Sequence, residues 1–229
     1  MCGRYTLTTD SSTLQKTFNL DELPEVEIQA RYNIAPTQPV SVITSARPRQ
    51  LTFMQWGLVP SWAKDPSIGH KMINARSETV HEKPSFRSAF KRRRCIIPAD
   101  GFYEWKKEGK VKKPQFIHMK NRAVFGLAGL WETWQSPHGD ELITCTILTT
   151  EPNDLVKPLH HRMAVILPSD HYDTWLNTDS DAPELKALFD PYPPDDMRAY
   201  EVSTMVNSPR NEGPDLIVPY EAPRQGTLL

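Results

Sequence analysis

The residue pattern predicts an α+β fold: a single domain on a curved or barrel-like mixed β-sheet, with short helices at its periphery. Short apolar runs rich in Val, Ile and aromatics recur between turn residues, which is the signature of many short strands. Pro (21) outnumbers Gly (10), favouring rigid turns and short strands over long helices. No repeat, low-complexity segment or linker divides the 229 residues. One domain is therefore expected over residues 1–221, with a loose tail at 222–229.

In chain order, residues 10–19 read as a short helix, with Asp10 or Ser11 as its cap and Leu14 and Phe18 on one face. After an acidic, Pro-containing loop, Arg31-Tyr32-Asn33-Ile34-Ala35-Pro36 is expected to be extended, because a residue before proline avoids the helical region. Residues 40–45 and 51–56 read as strands joined by a turn around Arg47-Pro48-Arg49. The run 56–63 holds too many breakers for regular structure and reads as a loop bearing Trp56 and Trp62. Phe86 and Phe90 mark a short helix ending in Lys91-Arg92-Arg93-Arg94, whose charges complement the helix dipole. Residues 96–105 read as strand, turn, strand. Residues 106–113 then form a hairpin turn around Gly109, leading into 115–119. Further strands are expected at 123–130, 142–149 and 163–167, helices at 169–176 and 183–189, and a last strand pair at 198–203 and 216–218.

Net charge is −1, but it is unevenly placed. Residues 1–120 hold 20 Lys and Arg against 11 Asp and Glu, and residues 121–229 hold 7 against 17. Such a division lets a basic face meet a polyanion while the molecule stays near neutral. No apolar run approaches the ~18 residues of a membrane span, and no charged-then-apolar leader marks a secretory signal. Cys2, Cys95 and Cys145 form no CxxC and leave an odd number, the usage of a reducing, cytoplasmic setting. No zinc cluster, phosphate-cradling Gly loop or zincin motif occurs, so neither metal nor cofactor is expected.

The opening Met1-Cys2-Gly3-Arg4 carries the most chemistry. A small second residue favours removal of Met1, which would leave Cys2 with a free α-amine beside its thiol. The amine titrates near ~7.7–8.0 and the thiol near ~8.5, so both are partly nucleophilic at neutral pH. The amine can condense with an aldehyde and the thiol then close a thiazolidine; alternatively the pair can attack an amide as an N-terminal nucleophile. Glu104 lies in the aromatic strand Phe102-Tyr103-Glu104-Trp105, where desolvation raises a carboxyl pKa. The alternative for Glu104 is an outward position on an edge strand. Asn74 and Arg76, two apart, share a side if extended and suit a carboxylate or phosphate; the alternative is turn chemistry with a surface ion pair. His160 and His161 face opposite ways on an extended chain and so make a poor pair of metal ligands; one of them suits an acid–base role, the alternative being a structural place for both. Trp62, in a loop near basic residues, offers a face on which bases stack.

Taken together, Cys2-Gly3-Arg4, Tyr32-Asn33-Ile34-Ala35-Pro36, Trp56-Gly57-Leu58-Val59-Pro60, Ile73-Asn74-Ala75-Arg76, Asp100-Gly101-Phe102-Tyr103-Glu104-Trp105 and His160-His161-Arg162-Met163 resemble the SOS response-associated peptidase family. The resemblance spans residue 2 to about 218, six motifs in order. It implies a trimmed N-terminus and a covalent link from Cys2 to the aldehyde of an abasic site in single-stranded DNA. It further implies an active site of Cys2, Asn74, Glu104 and His160, with Arg4, Arg76, Arg162 and the Trp62 loop holding flanking phosphates and bases. An imine that fails to close permits β-elimination, so a weak lyase activity is expected, from a monomer without membrane attachment that associates with the nucleoid through DNA. Two positions depart from the family pattern: His161, where Asp or Asn is more usual, and Ala164, where Pro is. Class II glutamine amidotransferases share only the Met-Cys-Gly opening, which leaves the other five motifs unexplained.

Overall fold

The computed structural model describes residues 2–24 and 28–221. Among these the chain forms β1 (Tyr5–Leu7), α1 (Ser11–Thr17), β2 (Arg31–Ile34), β3 (Pro39–Thr44), β4 (Arg47–Trp56), β5 (Asn74–Arg76), α2 (Arg87–Arg92), β6 (Arg94–Ala99), β7 (Gly101–Glu108), β8 (Val111–Met119), β9 (Phe125–Gln135) and β10 (Glu141–Thr150). Then come β11 (Met163–Ala164), β12 (Ile166–Leu167), α3 (Tyr172–Leu176), α4 (Ala182–Ala187) and β13 (Met197–Glu201).

β10, β4, β3, β6 and β9 pair in succession, and β9 pairs again with β10 to close a five-stranded barrel. Its pairs are antiparallel except for β10 with β4, where Thr144 faces Gln55 and Cys145 faces Trp56 in parallel. Closure leaves these five strands without an open edge along the ring. A second sheet runs β13-β8-β7-β1-β2. The chain passes from barrel to second sheet at Asp100, between β6 and β7. Its carboxylate fastens that corner: Oδ1 accepts from the Thr6 hydroxyl at 2.6 Å, and Oδ2 from the N–H groups of Thr8 and Thr9 at 2.5 and 2.8 Å. Gly101 follows because a Cβ there would lie 2.2 Å from the Phe116 ring.

Side chains alternate across β7 as a strand requires. Phe102 joins the main core with Cys2, Tyr5, Trp56, Ile97 and Leu127, whereas Tyr103 joins a smaller cluster with Phe116, Val202 and Val206. The strand carrying Glu104 is thus packed on both faces.

Several expectations are corrected. The β3–β4 turn is confined to residues 45–46, and the strand already begins at Arg47. α2 stops at Arg92, and Arg94 opens β6 instead, almost fully buried at 1% exposure. Its guanidinium donates to the carbonyls of Trp175 (2.6 Å), Phe90 (2.8 Å) and Asn177, so it satisfies helix-end carbonyls from inside. The 106–113 hairpin turns only at Gly109-Lys110, with Gly109 at φ +61°, and the strands run up to it. Residues 163–167 split into β11 on β10 and β12 on β9. The helix expected at 169–176 opens as a 3-10 turn, Ser169–His171, before α3. β13 pairs with β8, while residues 216–218 form no strand: Leu216 sits in a 3-10 turn, Pro214–Ile217. The tail at 222–229 lies outside the described residues.

Candidate active site

Three distant parts of the chain converge on Cys2. β1 pairs antiparallel with β7, Tyr5 opposite Phe102, and the Tyr103 N–H donates to the Arg4 carbonyl at 2.9 Å. Continuing that register carries residues 2–3 alongside Glu104 and Trp105. Asn74 arrives on β5, held parallel to β10, and its Nδ2 donates to the Cys2 carbonyl at 2.9 Å. His160 arrives from the turn after β10, its N–H bonded to the Val156 carbonyl at 2.9 Å. The Arg162 N–H donates to His160 Nδ1 at 3.0 Å. The same Nδ1 lies 3.2 Å from the Arg162 carbonyl, so the Arg162 backbone holds the ring from both its N–H and its C=O.

β5 and β11 both attach to the end of β10, through Thr149 opposite Arg76 and opposite Ala164. Asn74 and His160 are therefore hung from one end of one barrel strand. Arg162 closes the arrangement. Its Nη1 and Nη2 grip the two Glu78 oxygens at 2.5 and 2.8 Å, and Nη2 also donates to the Thr149 carbonyl at 2.5 Å. This two-point ion pair ties the His160 turn to the segment that follows β5.

Burial sets the charges. Cys2 is fully enclosed and Glu104 is 4% exposed. Burial, and next the nearby Glu104, pushes the Cys2 thiol up to about 12, so it stays protonated near neutrality. Burial likewise raises the Glu104 carboxyl and lowers the half-buried His160 imidazole. These two groups are drawn toward each other on the pH scale, an arrangement suited to passing protons. His160 and His161 do not face opposite ways: the chain bends there and the rings stack with centroids 4.3 Å apart. His161 is the exposed one, and the proximity of His160 is the main influence lowering its pKa.

A cleft of about 690 Å³ opens over Glu104 and His160. Trp105, Lys107, Lys112, Lys157, His161 and Asn207 also line it. Trp105 is held in its wall, its Nε1 donating to Asn207 Oδ1 at 2.7 Å and its ring 5.9 Å from the Arg4 guanidinium. Arg4 Nη1 donates to Asn33 Oδ1 at 2.6 Å and to the Val206 carbonyl at 2.7 Å. Arg162 thus spends both Nη groups on protein acceptors, and Arg4 spends its Nη1. Arg76 is exposed on β5. Trp62 is 58% exposed on a loop pinned beneath it, where Trp134 Nε1 donates to the Ala63 carbonyl at 2.7 Å and the Val59 N–H to Thr144 Oγ1 at 2.9 Å. Neither Trp62 nor Arg76 lines the cleft itself. Among the described residues no group of three or more His, Cys, Asp or Glu could hold a metal.

A model of the family described as SOS response associated peptidase (SRAP) matches residues 1–209. The chain belongs to the SRAP family. It is 49% identical over 221 residues to the abasic site processing protein YoqW of Bacillus subtilis (strain 168), covering 95% of this chain and 99% of that one. It is 32% identical over 264 residues to the abasic site processing protein HMCES of Gallus gallus, covering 96% of this chain and 78% of the relative. A crystal structure of a Bacteroides thetaiotaomicron protein superposes with a TM-score of 0.87 at 27% identity, covering 96% of this chain and 100% of the other. Both the resemblance carried by the six motifs and the barrel-like α+β class expected from the many short strands hold.

Sequence reasoning missed Glu78 and the cleft lysines. Glu78 gave no local signal, since its partner lies 84 residues away. Lys107 and Lys112 were legible only through hairpin register, which a turn placed over the whole of 106–113 erased.

Proposed function

We propose that this SRAP protein processes abasic sites in single-stranded DNA by joining Cys2 covalently to the ring-opened sugar aldehyde. The observation that carries this is the convergence on enclosed Cys2 of a carboxyl raised by burial, an imidazole lowered by burial and the Asn74 amide. Kinship to proteins named for abasic site processing supports it.

Hydrolysis of the Met1–Cys2 bond consumes one water and frees the Cys2 amine while Asn74 holds the Cys2 carbonyl in place. The protonated thiol is unreactive at first, so the amine adds to the aldehyde. Glu104 and His160 move the protons as the carbinolamine loses water to give an imine. The thiol S–H then adds across the C=N bond: a C–S bond forms, and the thiol proton ends on nitrogen. One water leaves per thiazolidine formed. An imine that escapes closure permits β-elimination of the adjoining phosphate, a weak lyase activity. Trp62 stacks a neighbouring base and Arg76 meets a phosphate. Arg4 and Arg162, engaged by protein acceptors, add positive potential to the walls. The protein works as a monomer in the cytoplasm, on the nucleoid when bound.

Intact-mass spectrometry after mixing with an abasic single-stranded oligonucleotide tests the reading. The expected product lacks Met1 and equals protein plus DNA less one water, and Cys2→Ala abolishes it. An adduct formed equally by Cys2→Ala, or none from the parent, would reject it. Release of peptide fragments from an added protein would instead assign the chemistry to amides.

A further inference from the structure

The β7–β8 hairpin sorts its lysines by face. Lys107 stands directly opposite Lys112, and Lys106 directly opposite Lys113. The second pair is neutralised: Lys106 and Lys113 each reach Glu108 at 2.8 Å, and Lys113 lies 3.7 Å from Glu201. The first pair, both exposed, makes no ion pair among the described residues and lines the cleft, together with Lys157 from the turn that precedes His160. Like charges directly across a strand pair are destabilising. A fold that neutralises one face of a ribbon and leaves two facing lysines uncompensated on the other retains a charge that its own packing does not require.

We infer that Lys107, Lys112 and Lys157 form a backbone phosphate grip at the cleft, distinct from Trp62 and Arg76. The inference rests on the DNA reading above and adds to it where the strand runs. A phosphodiester passing the Glu104–His160 floor meets three ammonium groups, two from the ribbon and one from the turn. Lysine suits this role as a mobile point charge with three donors, tolerant of base sequence. The grip is therefore blind to sequence and sensitive to salt.

The test uses the full chain and an intact single-stranded oligonucleotide without an abasic site, with affinity measured across a salt series. Lys107→Gln with Lys112→Gln is expected to weaken binding about 25-fold at 0.1 M salt and to lower the salt slope by about 0.7 per lysine removed. Lys106→Gln with Lys113→Gln removes the same charge from the other face and is expected to leave affinity within about twofold and the slope unchanged. Lys107→Arg with Lys112→Arg is expected to restore binding. Equal losses from both glutamine pairs would mean that only net charge matters, and parental affinity in the Lys107/Lys112 pair would mean that the strand lies elsewhere; either overturns the grip. Adduct formation on an abasic oligonucleotide is scored separately. If the parent crosslinks and the face difference is absent, the grip alone fails; if the parent does not crosslink, the reading of Cys2 fails.

Discussion

At the scale of single residues, Glu104 shows a conflict between stability and chemistry. Its carboxyl is held above its ordinary value by burial, so folding favours the protonated form. Stability from this group is fully present below the unfolded value near ~4.3 and is lost as pH rises through the folded one. Glu104→Gln is therefore expected to raise the melting temperature at pH 7, with a gain that shrinks toward pH 4. The same variant should slow adduct formation by about 10²–10⁴. Thermal scans at the two pH values with single-turnover crosslinking measure both, and a variant less stable than the parent at pH 7 would contradict the burial argument. Glu104 was visible in the sequence because a lone carboxylate stood among aromatics. The role of Arg94 was not, since a basic run after a helix says nothing about which arginine turns inward.

At the scale of elements, the site is an attachment problem solved at one end of β10. β5 and β11 both dock there, and the Arg162–Glu78 pair braces the two loops against each other. Glu78→Gln leaves every proposed reacting group in place but loosens the His160 turn. It is expected to slow crosslinking about 10–100-fold with little change in affinity for an intact strand. Comparable losses in affinity and rate would place Arg162 on the DNA instead. The strand carrying Glu104 was legible as an apolar run with a breaker, whereas for Asn74 and Arg76 the sequence indicated only a shared side if extended. The meeting of Asn74 with Glu104 was not legible, because β5 and β10 pair across some seventy residues (Asn74 opposite Ile147), and no local pattern encodes a parallel register of that span. The bend that stacks His160 on His161 was missed for a related reason: alternation was assumed where the chain turns.

At the scale of the molecule, the uneven charge suggested a basic face on the first half. The cleft instead draws Lys107 and Lys112 from the basic half and Lys157 from the acidic one. The fold class was legible because many short strands with few helices leave little but a curved sheet, whereas ring closure was hidden in a pairing of residues 55–56 with 144–145. That pairing has a consequence for how the chain assembles. β3, β4 and β6 precede residue 121 and β9 and β10 follow it, so neither half contains a ring. Contacts this remote in sequence also place the fold among slow folders, on the order of milliseconds to seconds. Separate fragments 1–120 and 121–229 should each stay unfolded in circular dichroism and recover strand signal on mixing, drawn together by opposite charge. A fragment folded by itself would show that the ring is dispensable. The ring, in this sense, is a lock with its two halves cut from opposite ends of the gene product.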